Sequence, residues 1–210
     1  MKPLVKICGI SNLNFLDEVT ELDDISYLGF IFYDSSPRNV TEEFLRSIAN
    51  FDFRNKRPVC VYVNATEEFV NQTSSYFKNP IIQFHGDETN QFCKSFKHEF
   101  WKVIRIKNSD SINLIENYPD ASAILLETYK KGIYGGTGDS FDWKIFEKSN
   151  LHHKIVLSGG INIKNVDNAI CIQPWCIDIN SGVESSVGIK DISLVKDILK
   201  IFYIINLYIK

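Results

Sequence analysis

The sequence has no block of lysine or arginine, no charge-free segment of membrane-spanning length, and neither of the familiar glycine-rich nucleotide loops. Each absence excludes something. The net charge is -3 and the pI about 5.8, so there is no basic face to neutralise a phosphate backbone, and nucleic acid is not the partner. The most apolar stretch, ILKIFYIINLYIK, is short and is broken at its start by Lys196, Asp197 and Lys200. It reads as a closing helix packed on a core, and no membrane contact is expected. The N-terminal MKPLVKICGI is too short an apolar run for a secretory signal.

Cysteine usage points the same way. Five cysteines, an odd number without an export signal, imply free thiols in a reducing compartment, and a cytoplasmic location is expected. Cys171 and Cys176 are separated by four residues, no second close pair exists, and His152 and His153 would point apart on a strand. That spacing argues against a metal site.

What is present is ordinary globular material. The 210 residues are 44% hydrophobic and 23% charged, enough to bury one sizeable core. No linker, repeat or composition break divides them, so residues 1–210 are read as one domain. Short β-branched or aromatic runs alternate with segments of helical period. Strands are predicted at 4–8, 27–33, 58–63, 80–86, 100–106, 122–127, 154–159 and 175–180. Asn12, Thr41, Thr66 and Asn162 stand where helices should start, and Thr41 and Thr66 are each followed by two glutamates.

Eight apolar strands alternating with helices argue for a parallel sheet covered on both faces. Its natural closure is an α/β fold, the (β/α)8 TIM barrel, near the lower end of its length range. An open doubly wound sheet is the alternative. It usually has fewer strands and carries a glycine loop after the first, which this chain lacks.

In such barrels chemistry gathers where strands end. Those positions hold Cys8 before Gly9, Arg38 after Ser36-Pro37, Gln83 with His85, Arg105, Glu127, Ser158-Gly159-Gly160, and Asp178 to Gly182. Glycine clusters follow the sixth, seventh and eighth strands, where backbone amides can approach an anion. Each cluster alone suits a turn; three together suit the phosphate pocket of a barrel. Cys8 differs from the other cysteines in ending a strand at this rim. The fork of Arg38 suits a carboxylate, or a surface ion pair. His85 could serve as acid or base, or as a hydrogen-bonded rim residue.

Taken together, KICGI, GFIFYDSSPR, VYVN, IQFHGDE, ILLE with YGGTGDSFDW, LSGGI and DINSGVESSVGIKD resemble the phosphoribosylanthranilate isomerases of tryptophan biosynthesis. The likeness runs in order from Lys6 to Asp191. It implies a single barrel, in free-standing form, catalysing an Amadori rearrangement. N-(5-phosphoribosyl)anthranilate would open its furanose ring, lose the C2 proton and become the aminodeoxyribulose product. No cofactor and no metal is implied. The partner is a small phosphosugar substrate, with other tryptophan-pathway enzymes as candidate protein partners. The cysteine of KICG, Cys8, would be the base, and the residue after ILL, Glu127, the acid. Arg38, with Gln83 and His85, would hold the substrate. Gly136, Gly159, Gly160, Asp178, Asn180, Ser181 and Gly182 would hold its phosphate.

One residue departs from that pattern. The family's acid is normally aspartate, and here it is Glu127, one methylene longer. The carboxyl chemistry is kept while the reach changes, and a displacement near 1 Å can cost about 10²-fold in rate. Two competing readings stand beside this one. Another sugar-phosphate isomerase or epimerase would usually bring paired acids and histidine ligands, which the rim does not supply. A non-catalytic phosphate binder would be a barrel that lost turnover through Glu127.

Overall fold

A computed structural model describes residues 2–129, 143 and 152–208. Eight parallel strands close on themselves in sequence order. They are β1 (Leu4–Ile7), β2 (Tyr27–Phe32), β3 (Arg57–Tyr62), β4 (Ile81–Phe84), β5 (Phe100–Ile106), β6 (Ala123–Thr128), β7 (Ile155–Leu157) and β8 (Cys176–Ile179). All eight predicted strands are found, most of them shorter by a residue or two at an end. Closure is made by β1 against β8, in register Leu4 with Cys176 through Ile7 with Ile179.

The alternation of side chains along each strand splits the apolar residues into two sets. One points into the barrel and includes Val59, Val61, Ile81, Trp101, Val103, Leu125 and Val156, with Cys8 at its upper end. Tyr27, Trp101 and Trp175 pack together at the bottom and plug it, Trp101 edge-on to both of the others. The other set points outward, and with the helices forms the larger core, including Val5, Ile7, Phe30, Tyr62, Phe84 and Leu126.

The helices are α1 (Leu13–Thr20), α2 (Glu42–Ser47), α3 (Glu67–Ser74), α4 (Asn90–Cys93), α5 (Val166–Cys171) and α6 (Ile192–Tyr208), with a 3-10 helix over Ser109–Asn117. Asn12, Thr41 and Thr66 cap their helices as predicted, each accepting from the backbone N–H three residues on. Asn162 does not. Its side chain takes the Lys164 N–H in a tight turn, and α5 starts only after Asn165. The apolar C-terminal stretch forms α6, which buries Val195, Ile198 and Phe202 and packs on α1 and α5. Among the described residues, no helix is long and apolar enough to cross a membrane.

An antiparallel hairpin that the sequence does not announce follows β8. Its strands are β9 (Glu184–Ser186) and β10 (Ile189–Lys190). It folds back over the rim, bringing Gly188 close to the Pro37 carbonyl in the loop after β2.

Candidate active site

The strands carry apolar residues inward until their C-terminal ends, where the inward positions turn polar. The result is a cavity of about 360 Å³, lined by Cys8, Arg38, Gln83, His85, Glu127, Ser158, Asp178 and Asn180 among others. Residues from almost every strand end thus converge on one space. Cys8 lies on the β1 side and Glu127 on the β6 side.

Cys8 is almost fully buried. Burial pushes its thiol above the ordinary value, Lys6 and Lys190 pull it back, and Asp178 pushes it further up. Lys6 lies two positions earlier on the same inward face and has no exposed surface. Its Nζ donates to Asp178 Oδ1 at 2.9 Å. Burial alone would lower this lysine, but Asp178 and Cys8 outweigh it and the ammonium is held above its usual value. The Ser158 hydroxyl reaches the other oxygen of Asp178 at 3.4 Å. Asp178 therefore sits with a buried cation beneath the cavity. A phosphate would meet a like charge there.

On the opposite wall, Glu127 is buried and its Oε2 lies 2.7 Å from His85 Nε2. These two residues stand on β6 and just after β4, so their side chains meet across the end of β5. Gln83, one inward position below His85, is also buried, and its Oε1 has no hydrogen-bond donor among the described residues. Gln83 is also among the residues that line the cavity.

Arg38 is held more firmly than a turn residue need be. Its Nε and Nη2 donate to the two oxygens of Glu184 at 2.6 and 2.7 Å, a fork-to-fork pair. Glu184 also accepts from Lys190 Nζ at 2.8 Å and from the Gly188 N–H at 3.1 Å. Burial alone would raise this carboxyl, but Arg38 and Lys190 overcome that and hold it down at about 2. Lys190 donates in addition to the backbone and side-chain oxygens of Asn180. Burial and Arg38 lower it against the support of Glu184. Two cations and one carboxylate leave this corner with one positive charge, suited to a single anion.

The loops after β7 and β8 are shaped by glycine. Gly159 and Gly160 adopt φ of 93° and 64°, conformations that L side chains rarely take. Gly182 bridges to Asn162 and leaves no room for a side chain, since an added Cβ would lie 2.0 Å from the Ile161 carbonyl oxygen. The loop after β7 is thereby locked against the loop after β8, and Gly159, Gly160, Ser181 and Gly182 come from these adjoining segments. Gly136, with the other glycines after β6, lies outside the described residues.

Three contributors went unassigned in the sequence. Lys6 could have been found from the period of two that sets it on the same face as Cys8. Glu184 and Lys190 lie in the stretch DINSGVESSVGIKD, but Arg38, which pairs with Glu184, is 146 positions away, and no local pattern reports such a pair.

Comparison with known proteins supplies a family. The family model of N-(5'-phosphoribosyl)anthranilate (PRA) isomerase matches residues 5–201. The chain is 39% identical to N-(5'-phosphoribosyl)anthranilate isomerase of Marinomonas sp. over 197 residues, covering 93% of this chain and 95% of that one. It is 36% identical to the enzyme of the same name from Trichlorobacter lovleyi, covering 93% and 96%. Among solved structures, phosphoribosyl anthranilate isomerase from Thermotoga maritima superposes with a TM-score of 0.83 at 31% identity, covering 96% and 98%. A phosphoribosyl anthranilate isomerase in complex with reduced 1-(o-carboxyphenylamino)-1-deoxyribulose 5-phosphate gives 0.80 at 30% identity, with the same coverage.

Proposed function

Because the chain belongs to the N-(5'-phosphoribosyl)anthranilate isomerase family, we propose a division of labour among the residues that line its cavity. The reaction is the isomerisation of N-(5'-phosphoribosyl)anthranilate to 1-(2-carboxyphenylamino)-1-deoxyribulose 5-phosphate, a step in tryptophan biosynthesis. Two proton transfers define it. The furanose ring oxygen takes a proton as its bond to C1 breaks, and the nitrogen lone pair then forms the C1=N iminium. The C2 proton leaves next, its electron pair giving the enolamine, which tautomerises to the ketone.

Glu127 is the acid and Cys8 the base. The observation that carries this is their placement on opposite walls of one buried cavity, where a five-carbon sugar can lie between them. Cys8 acts as thiolate, and Lys6 and Lys190 favour that form against the burial that opposes it. Arg38 takes the anthranilate carboxylate. Glu184 occupies the Nε edge of the guanidinium, so the substrate carboxylate meets its outer end. Gln83 lines the space the sugar occupies. The phosphate sits on the amides of Gly159, Gly160, Ser181 and Gly182. Asp178 belongs to the floor beneath Cys8 and not to that phosphate site, since its carboxylate is committed to Lys6. Asn180 steadies Lys190.

The test is complementation of a tryptophan auxotroph lacking the isomerase, with the chain itself and with Cys8→Ala and Glu127→Gln. Growth with the first and none with the folded variants is expected. Growth restored by either variant would overturn that residue's assignment.

A further inference from the structure

We propose that His85 is a positioning residue for the acid: it holds Glu127 Oε2 so that the other carboxyl oxygen faces the sugar. The inference rests on Glu127 being the acid.

The geometry is specific. His85 follows β4 and Glu127 lies on β6, so their backbones are two strand spacings apart, about 10 Å. The 2.7 Å contact bridges that span only because both side chains reach over the end of β5. Both side chains are about nine-tenths shielded from solvent, so no water shell competes for the bond. A glutamate has one more rotatable bond than aspartate, and a free one would spread its carboxyl over several rotamers. Anchoring one oxygen removes that freedom. It leaves Oε1 as the oxygen available to the cavity.

The same bond sets a length requirement. Removing one methylene withdraws the carboxyl by about 1.5 Å. A 2.7 Å contact would then open towards 4 Å, beyond hydrogen-bond range. Shortening Glu127 therefore breaks the anchor, even though the carboxyl itself is kept. His85 and Glu127 thus form one unit, joined through that bond.

The experiment is steady-state kinetics on purified wild type, His85→Leu, His85→Gln, Glu127→Asp and the double variant His85→Leu/Glu127→Asp. A glutamine amide nitrogen sits about where the imidazole Nε2 does and can donate to Glu127; leucine cannot. His85→Leu should lose about 10²-fold in kcat with KM within a few-fold of wild type. His85→Gln should recover most of that loss. Glu127→Asp should fall by a similar factor, and the double variant should be no worse than either single one, because both break the same bond. A His85→Leu defect confined to KM would make His85 a substrate contact and overturn the proposal. So would His85→Gln as poor as His85→Leu, or multiplicative losses in the double variant. Should a variant unfold, circular dichroism would show it, and the folded single variants then decide: Glu127→Asp slowed about 10²-fold with His85→Gln close to wild type is expected, and Glu127→Asp at the wild-type kcat, or His85→Gln slowed about 10²-fold, would overturn the proposal. Failure of the underlying acid assignment is distinguishable: Glu127→Gln would keep its turnover whatever happens at His85.

Discussion

Glu184→Gln isolates the electrostatics of the rim, because it keeps the shape of the side chain and removes only its charge. In the native arrangement each carboxylate oxygen accepts two donors, Arg38 Nε and Lys190 Nζ on one, Arg38 Nη2 and the Gly188 N–H on the other. An amide in either orientation places an NH2 against two donors, and leaves two buried cations with no anion between them. The magnitude follows from proton linkage. The carboxyl is held at about 2 against an ordinary 4.5, and at 1.36 kcal/mol per unit that is about 3 kcal/mol. The side chain is only 4% exposed, so solvent screening takes little away. The loss expected on breaking one partner of a buried pair, about 3–5 kcal/mol, agrees. Because the folded value is depressed, this stabilisation is complete above about pH 5 and disappears as the pH falls towards 2. Urea unfolding of wild type and Glu184→Gln should therefore differ by about 3 kcal/mol at pH 7 and about half that at pH 3. A gap below about 0.5 kcal/mol at pH 7, or one equal at both pH values, would refute the reasoning.

Other perturbations test the remaining walls. The rising limb of the kcat/KM profile should lie on the alkaline side of an ordinary thiol, because burial raises Cys8. It should vanish in Cys8→Ser, and Lys6→Met should move it further up in pH by removing a charge that favours the thiolate. Arg38→Ala should weaken binding of reduced 1-(o-carboxyphenylamino)-1-deoxyribulose 5-phosphate by about 1.5–3 kcal/mol in calorimetry; unchanged affinity would remove Arg38 from the substrate site. Crystals grown in phosphate or sulfate should show the anion on the amides of Gly159, Gly160, Ser181 and Gly182, and an anion bound only elsewhere would count against that pocket.

The barrel was legible because burial on both faces writes each strand as an apolar run. β5 is the clearest case, predicted and found over Phe100–Ile106. Helix starts were legible where a side chain caps locally, as at Thr41 and Thr66, and not at Asn162, whose turn competes with a cap for the same oxygen. The hairpin after β8 left no trace in the pattern, since Glu184–Ser186 and Ile189–Lys190 are only three and two residues long, and what they bury is a charged pair rather than an apolar period. At the rim, residue types and strand ends were enough to name Cys8, Arg38, Gln83, His85 and Glu127. What each one touches was not readable. The partners of Arg38 and Glu127 come from distant strands, and only closure of the barrel brings them within reach.

The pairing of Lys6 with Asp178 spans 172 positions, and this bears on how the chain is born. At translation speeds of about 5–20 residues per second, Cys8 emerges on the order of 10 s before Asp178 and Glu184 exist. A ribosome-bound chain thus carries its thiol well before Asp178 and Lys190, two of the charged groups that act on it in the closed barrel. In the interval β1 is the open margin of an unfinished sheet, which invites pairing with neighbouring chains. Lys6 is the one charge on the inward face of that margin. Hydrated and unpartnered, it makes burial of the edge against a foreign strand costly. The last barrel strand to arrive brings the carboxylate that lifts this penalty, so the charge pair joins the first strand to the last.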